Sequence, residues 1–472
     1  MFRSGRFLGI AFALLGLILN PGGALWAESP APPVSSSGDL ETRIRDLEAQ
    51  VKKLAAAVEA LRSEAPPGKP DGIAELERQI DVLTREIERL RLGEAAGTEA
   101  GESRHGFGPA ASKIYQVRHG VSVGGYGELA YRNFRNETDD GSPAGVNDTL
   151  DLSRVVLYFG YKWTDRFLFN SEIEFEHATT GEGDEEKGEV SVEFAYLDFL
   201  LRKGLNARAG LLLVPVGFIN ELHEPTAFHG VLRPEVERVV IPSTWREAGA
   251  GVFGEAGKFT YRAYLMTGLN GLGFSGDEGL REGRQGGSSA AAEDFALAGR
   301  LDFTGFASFL AGVSGYAGDS SQGAVSAGAR VTLADAHVQY QWRGLELRAL
   351  WTQVAIHDAD DLNAALGILP GSNETIGEKL RGWYAQAAWD ILSLRAASSV
   401  SLIPFVRYES LDTQARVPAG FSADPGNDRR ILTMGLSWKP IAQIVVKADY
   451  QNASNDAGTG LDEFNLGLGW IF

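Results

Sequence analysis

Apolar and polar residues alternate one by one through most of the chain after about residue 121. In the segment 166–177, Phe167 and Phe169 fall on one face of an extended chain, while Glu172 and Glu174 fall on the other. A period of two predicts β-strands whose two sides meet different surroundings. We predict sixteen strands, at 121–134, 149–162, 166–177, 189–202, 204–214, 246–256, 258–268, 295–304, 307–316, 330–342, 344–355, 380–391, 399–410, 428–438, 442–453 and 461–472.

The connections between these strands are alternately short and long. Tight turns fall at 163–165 and 256–258, for example, whereas 135–148, 215–245 and 269–294 are long connections. This rhythm and the even strand number are typical of bacterial outer-membrane barrels, in which apolar residues face lipid and polar residues face the lumen. The predicted fold class is therefore an all-β transmembrane barrel of about 16 antiparallel strands, wide enough to leave an aqueous channel.

The start of the chain has the composition of an export signal. Two arginines precede an apolar run over 7–19, which is too short to span a bilayer. We predict a signal peptide over residues 1–27, with cleavage after Ala24 or Ala27. The predicted location is the bacterial outer membrane, with the N-terminal region in the periplasm. The chain has no cysteine, so disulfides and thiolate sites are excluded.

A periplasmic α-helical coiled coil is predicted over 39–92, because apolar residues recur there at alternating spacings of three and four. The prolines within 66–70 interrupt this pattern, so the two halves either stack in series or fold back as a hairpin. We interpret the region as a stalk or oligomer clamp, and the alternative is a tether to peptidoglycan or another periplasmic partner. Residues 93–120, rich in Gly, Ala, Glu and Ser, are predicted to be a flexible linker before the barrel, 121–472.

Composition narrows the range of functions. The formal net charge of -18 argues against nucleic-acid binding. Acidic clusters near 139–148 and 182–186 are interpreted as solvated loops, with divalent-cation binding as the alternative. The histidines have no serine-rich motif beside them, and the glycines lack phosphate-loop spacing, so we predict neither an enzyme nor a cofactor. The N-terminal region is also too short to form a globular plug.

One stretch of the barrel resembles a known family. The sequence AYLDF at 195–199 is followed by AGLLLVPVGF at 209–218 and, after a long connection, by REAGAGVFG at 246–254. This block is similar to the phosphate-selective porin O and P family of outer-membrane channels. The resemblance covers the barrel alone and implies a homotrimer in which the third outer loop, here 215–245, forms the constriction. The heptad pattern of the coiled coil, by contrast, favours two strands.

The loop 215–245 is the least polar of the long connections, which indicates that it folds into the lumen. His223 and His229 lie on this loop together with Glu224. We interpret both histidines as packed side chains, and the alternative is a weak metal site.

Charged residues of both signs are predicted to face the lumen. Carboxylates share that space with arginines, so the chain fits either a general porin with a transverse field or an anion path, for phosphate among other ions. For any single lumen arginine, we expect an ion pair that braces the wall. The predicted partners are outer-membrane lipid and small solutes or ions, and the predicted function is passive diffusion, with a structural tether to peptidoglycan as the alternative. The candidates for pore-lining or constriction residues are Arg132, Arg154, Arg208, Glu221, His223, Glu224, Arg233, Arg238, Arg246, Arg262, Arg300 and Arg348.

Overall fold

The computed structural model describes residues 37–64, 76–84, 103–180, 188–325, 328–393 and 400–472. The chain divides into two compact units, Met1–Leu90 and Arg91–Phe472. The predicted signal peptide, 1–27, lies outside the described residues, and so do residues 93–102 of the predicted linker. Within the described ranges, no helix is both long enough and apolar enough to cross a membrane.

The first unit contains two helical segments. Helix α1 spans Ser37–Glu64, and residues 76–84 are also helical. The apolar face of α1 is less exposed to solvent than its polar face. Ile44 is buried, while the polar residues beside it are exposed. Leu54 on α1 and Leu83 on the second segment line the same groove. The two segments therefore lie against each other as a hairpin, which is one of the two arrangements that the sequence left open.

The second unit is a closed barrel of sixteen antiparallel strands, in which each strand pairs with its neighbours in sequence and β1 pairs with β16. All sixteen predicted strands are confirmed, and the largest difference is at the end of β13, which runs on to Arg416. The strands are β1 (Gly120–Phe134), β2 (Thr149–Thr164), β3 (Phe167–Glu176), β4 (Val190–Arg202), β5 (Leu205–Leu213), β6 (Arg246–Ala256), β7 (Phe259–Thr267), β8 (Phe295–Phe306), β9 (Phe309–Gly318), β10 (Val331–Trp342), β11 (Leu345–Ile356), β12 (Lys379–Trp389), β13 (Ser401–Arg416), β14 (Asp428–Ile441), β15 (Ile444–Asn455) and β16 (Glu463–Ile471).

The two faces of the barrel wall divide as the alternation predicted. Large apolar side chains, including Phe159, Phe167 and Val313, remain exposed on the outer face. Glu172 and Glu174, which alternate with apolar residues on β3, are buried on the inner face. Lipid tails offer no hydrogen bonds, so a closed wall with an apolar outside is the form in which strands can cross a bilayer.

The two ends of the barrel have different connections. At one end, which we call the short-turn end, tight turns join β2 to β3 and β4 to β5. The start of β1 and the end of β16 also lie there. At the other, the long-loop end, the connections are longer and carry short helices. These include a π-helical turn at Val236–Val240 and helix α2 at Ala359–Ala365.

Residues 103–119 differ from the predicted linker. Because they lead into β1 at the short-turn end, they enter the barrel there, and they form a 3-10 turn at Ala111–Tyr115. Phe107, Ile114 and Tyr115 are buried inside. The linker prediction was wrong for this part, because a few large apolar side chains within a Gly- and Ala-rich stretch are enough to fix it against the wall. We call residues 104–116 the N-terminal segment.

Candidate functional site

The loop 215–245 leaves β5 and returns to β6 through a closed neck. The Asn220 side-chain amide donates hydrogen bonds to the carbonyl oxygens of Val214 at 2.7 Å and Trp245 at 2.9 Å. The backbone N–H of Trp245 donates in turn to the Asn220 side-chain oxygen at 2.7 Å. Asn220 and Trp245 are both buried. The base of the loop is therefore fixed by hydrogen bonds that are buried away from water.

Inside the lumen, Glu237 clamps the two limbs of the loop together. Its carboxylate accepts the backbone N–H groups of Phe218 at 2.6 Å and Ile219 at 2.8 Å. The hydroxyl of Tyr384, on β12, donates to the other oxygen at 2.7 Å. Burial raises the pKa of the Glu237 carboxyl above its ordinary value. The loop folds into the barrel, as its apolar composition predicted, and its inner residues Val216, Phe218, Ile219, Val236, Val239, Val240 and Ile241 are buried.

The middle of the loop reaches the wall opposite its neck. The backbone N–H of Val231 donates to the Asp449 carboxylate on β15 at 2.6 Å. The ammonium of Lys439 on β14 donates to the carbonyl oxygen of Thr226 at 2.8 Å. Since β14 and β15 lie across the barrel from β5 and β6, the loop crosses the full width of the lumen.

Eight of the nine candidate arginines make ion pairs, as we expected of lumen arginines. Paired guanidinium groups stiffen the wall and offer little net charge to a passing ion. The pairs are Arg132 with Glu463 (2.7 Å), Arg154 with Glu128 (2.9 Å) and Glu174 (2.9 Å), Arg208 with Asp198 (2.6 Å), Arg238 with Glu235 (2.7 Å), Arg246 with Glu193 (2.6 Å), Arg262 with Glu221 (3.1 Å), Arg300 with Asp302 (2.8 Å), and Arg348 with Glu346 (3.4 Å).

The two loop histidines have separate partners. His223 Nε2 lies 3.1 Å from the carboxylate of Glu172, while His229 Nε2 lies 3.5 Å from that of Glu346. Glu224 accepts hydrogen bonds from the backbone of the N-terminal segment. The three side chains do not converge, so the alternative of a weak metal site on this loop was wrong. Within the described ranges, no group of three His, Asp or Glu side chains is placed to hold a metal ion.

Between the loop and the wall of β1–β3 and β13–β16 the lumen holds a charged cavity of about 560 Å³. Four of the twelve candidates line it, namely Arg132, Arg154, Arg233 and Arg238, and the other eight lie in the packed remainder of the lumen. Apolar side chains, such as that of Phe228, interrupt the charged lining. Its basic side chains are those of Arg132, Arg154, Arg233, Arg238, Arg281 and Lys447, and its acidic ones are those of Glu128, Glu176, Glu235, Glu409 and Glu463.

Arg233 differs from the other candidate arginines. Its Nε and Nη2 atoms are buried without a hydrogen-bond partner, and it makes no ion pair within the part of the chain that the structure describes. The Lys447 ammonium also lacks a hydrogen-bond partner and lies 3.7 Å from the centre of the Phe228 ring. Buried N–H groups without a hydrogen-bond acceptor are costly, and both of these cations present such groups on this side of the cavity.

Two features of the lumen were not predicted from the sequence. Arg281 lines the cavity from the long connection between β7 and β8, and its guanidinium donates to the carbonyl oxygen of Arg238 at 3.3 Å. Nothing in a polar connection distinguishes an inward arginine from a solvated one. The N-terminal segment was also missed, although Phe107 and Tyr115 are an available signal, since flexible linkers are poor in aromatic residues.

Comparisons with known proteins give one close relative. No family model matches the chain. An uncharacterized protein of Aquifex aeolicus (strain VF5) is 37% identical over 396 residues, which cover 81% of this chain and 87% of that protein. The aligned stretch is longer than the barrel from Gly120 to Phe472, so it includes residues that precede the barrel.

Among solved structures, similar chains are outer-membrane proteins. An anion-selective porin from Comamonas acidovorans has a TM-score of 0.48 at 12% identity and covers 75% of this chain and 99% of its own. OmpF of Salmonella typhi, in complex with daunomycin, has a TM-score of 0.47 at 12% identity, with 75% and 98% covered. Similarities at this level leave the solute and its selectivity open.

Proposed function

We propose that this chain, which belongs to the same protein family as the uncharacterized protein of Aquifex aeolicus, forms an outer-membrane channel for passive diffusion of small solutes. The observation that carries this proposal is the charged cavity of about 560 Å³ inside a closed barrel whose outer face is apolar. Lipid solvates such an outer face, while a polar interior of this strand number holds water. The loop 215–245 is the constriction, because it crosses the lumen from its neck to the opposite wall.

The proposed selectivity is a weak preference for anions. Its support is that Arg233 and Lys447 line the cavity with N–H groups that have no hydrogen-bond partner among the described residues, and the ion pairs of the other arginines limit it. A dedicated phosphate filter requires clustered basic groups with few competing carboxylates. The cavity lining contains five glutamates, so phosphate is one admitted anion rather than the sole cargo.

The test is conductance in planar lipid bilayers. The purified mature protein is reconstituted under a KCl gradient, and the reversal potential is recorded before and after phosphate is added. We expect an anion-biased reversal potential that phosphate changes only slightly. Full block by phosphate would replace the weak preference with the specificity of the phosphate-selective family. A protein that does not conduct, either intact or without the N-terminal segment, refutes the channel.

A homotrimer in the outer membrane, with the N-terminal helices in the periplasm, belongs to the same proposal. Its support is the resemblance of residues 195–254 to trimeric porins. Mass measurement of the detergent-solubilised protein by light scattering tests it. Three copies are expected, and a stable dimer would instead assign assembly to the heptad pattern of the N-terminal helices.

A structural tether is the second candidate. It is favoured by a helical hairpin that forms a unit separate from the barrel and by a lumen in which most candidate arginines are already paired. Deletion of residues 39–92 separates the two functions. A channel without those residues conducts as before, whereas a tether loses its association with isolated cell wall.

A further inference from the structure

The N-terminal segment docks on the barrel wall through Phe107. The Phe107 ring is stacked on Tyr196, with 5.5 Å between centroids, and lies 5.2 Å from the centroid of Phe194. The guanidinium of Arg208 is 4.8 Å from the Phe107 ring centre. Phe107 and Tyr196 are 2% and 1% exposed, so this is a filled aromatic pocket on β4 and β5 rather than a surface contact.

Tyr115 adds a buried polar anchor at the other end of the segment. Its hydroxyl donates a hydrogen bond to the Asp198 carboxylate at 2.7 Å. Arg208 donates to the same hydroxyl at 2.9 Å and forms an ion pair with Asp198. Tyr115, Asp198 and Arg208 contain no buried side-chain nitrogen or oxygen that lacks a hydrogen-bond partner, as a water-free site requires.

The constriction loop holds the middle of the segment. The Glu224 carboxylate accepts the backbone N–H groups of Ala110, at 2.9 and 3.2 Å, and of Ala111, at 3.0 Å. On the opposite side, the Asn170 amide on β3 donates to the carbonyl oxygen of Ala111 at 3.0 Å. The segment is therefore held between the wall and the loop.

The segment and the loop together form a layer of contacts across the lumen. The segment contacts the inner face from β3, through Asn170, to β7, where Arg262 donates to the carbonyl oxygen of His105 at 3.4 Å. Arg262 also forms an ion pair with Glu221 of the loop. The loop in turn contacts β15, where its Val231 donates to Asp449. A solute that has entered the charged cavity from the long-loop end meets this layer before the short-turn end.

The segment is nevertheless not part of the sheet. Among the described residues, its backbone-to-backbone hydrogen bonds are internal, as from Phe107 to Arg104, Ser112 to Gly108 and Gln116 to Lys113. Side-chain hydrogen bonds and packing hold it against the wall and the loop, and residues 117–119 connect it to β1. It can leave without breaking any strand pairing, whereas removal of a strand would open the barrel.

We propose that residues 104–116 are a releasable plug that closes the short-turn end of the channel, and that solutes pass only when the plug leaves the lumen. This inference rests on the proposed channel function. The N-terminal segment is then an autoinhibitory element, and Glu224 is the latch by which the loop holds it in place.

A reversible disulfide tests the plug, because the natural chain contains no cysteine. A Cβ atom built on Gly160 would lie 3.1 Å from the Cβ of Ile114, close to the roughly 3.5 to 4.5 Å that a disulfide spans. The variant Ile114→Cys/Gly160→Cys, in the full mature chain, is reconstituted in bilayers, and bond formation is checked by mass. Ile114→Cys alone is the matched control, and a chain that lacks residues 104–116 is the open reference.

We expect the oxidised double variant to lose its conductance to the level of protein-free membrane and to recover it when reductant is added. The control should not respond to reductant, and the open reference should conduct continuously. Equal conductance of the oxidised and reduced forms, with the disulfide present, overturns the plug but leaves the channel intact. No conductance in any variant, including the open reference, overturns the channel and the plug with it.

Discussion

Glu224 binds the backbone N–H of Ala110 with both carboxylate oxygens, at 2.9 and 3.2 Å. This pair joins the constriction loop to a segment more than a hundred residues earlier in the chain. Loss of the acceptor strands buried N–H groups, each at a cost of about 1–3 kcal/mol. The variant Glu224→Ala is therefore expected to release the N-terminal segment.

Release is measured as a rise in open probability in single-channel recordings, or as faster cleavage near residue 105 by an added protease. Glu235→Ala, which removes a loop carboxylate paired with Arg238 and in contact with neither the segment nor Arg262, is the control. If Glu224→Ala is as closed and as resistant as the unaltered protein, the latch lies elsewhere.

The same carboxyl predicts a pH dependence. Burial raises the pKa of Glu224 from its ordinary 4.5 to about 7, against the opposing effect of hydrogen bonds from Ala111 and Ala110. Between these two pKa values, Glu224 therefore holds a proton while the segment is bound, and it loses that proton when the segment leaves and the carboxyl is hydrated. Closure is most stable below about pH 4.5 and weakens as the pH rises through about 7. We expect conductance to rise between pH 5 and pH 8.

The variant Glu224→Gln isolates this effect. Glutamine keeps an oxygen for the backbone N–H groups but cannot ionise, so its conductance at pH 8 should stay as low as at pH 5. His223, Glu172 and Tyr158, which also face Glu224, are unchanged in this variant. A rise with pH that persists in Glu224→Gln would assign the titration to one of these neighbours.

Arg208 and Asp198 form a buried ion pair beneath the N-terminal segment, with side chains 2% and 0% exposed. Removal of one partner leaves the other charge buried alone, which costs about 3–5 kcal/mol. Arg208→Met should lower the free energy of unfolding of the barrel by that amount, as measured by denaturant titration in detergent. Arg208→Met/Asp198→Leu removes both charges and should recover most of the loss, and a double variant as unstable as the single one contradicts this account.

Arg233 is expected to bias the cavity toward anions. A unit charge about 4 Å from the ion path in water is worth about 1 kcal/mol, or roughly fivefold in local anion concentration. Arg233→Ala should lower the ratio of anion to cation permeability by about that factor, as read from the reversal potential in a KCl gradient. Arg166→Ala, at the exposed β2–β3 turn, should leave the ratio unchanged.

Val313 tests the lipid-facing side of the wall. It lies in the middle of β9 and is 54% exposed. An arginine at the bilayer midplane of a barrel costs about 2–4 kcal/mol. Val313→Arg should reduce folding into lipid vesicles by that free energy, while Asn373→Arg on an exposed loop should not. An equal effect of both substitutions would indicate that Val313 does not face lipid.

Much of the barrel was predictable because its signal is local. Each strand is a run of alternating residues, as on β3, and the register follows from which face is apolar, so neighbouring strands need no distant information. Strand ends were less certain, since β13 extends to Arg416 through residues that also suit a polar loop. The inward fold of the loop 215–245 was predictable as well, because its apolar side chains exclude a solvated tip.

The contents of the lumen depended on contacts that are distant in sequence. Strand alternation and the inward loop placed nine arginines inside but could not choose their partners. Arg233 is distinguished from Arg154 only by what surrounds each. Residues 104–116 were read as a linker because their local composition is weakly structured. Their burial depends on a pocket built by Phe194 and Tyr196.

The sequence by itself determined the strand number, the two faces of the wall, the alternation of turn and loop, and the helical N-terminal region. These follow from periodicity, which each segment carries alone. The tertiary structure decided which charges are paired, where the charged cavity lies, and that a segment before β1 is buried inside the barrel. Those outcomes arise from complementary burial and hydrogen bonding between residues far apart in the chain, as between Glu224 and Ala110, and no local pattern encodes them.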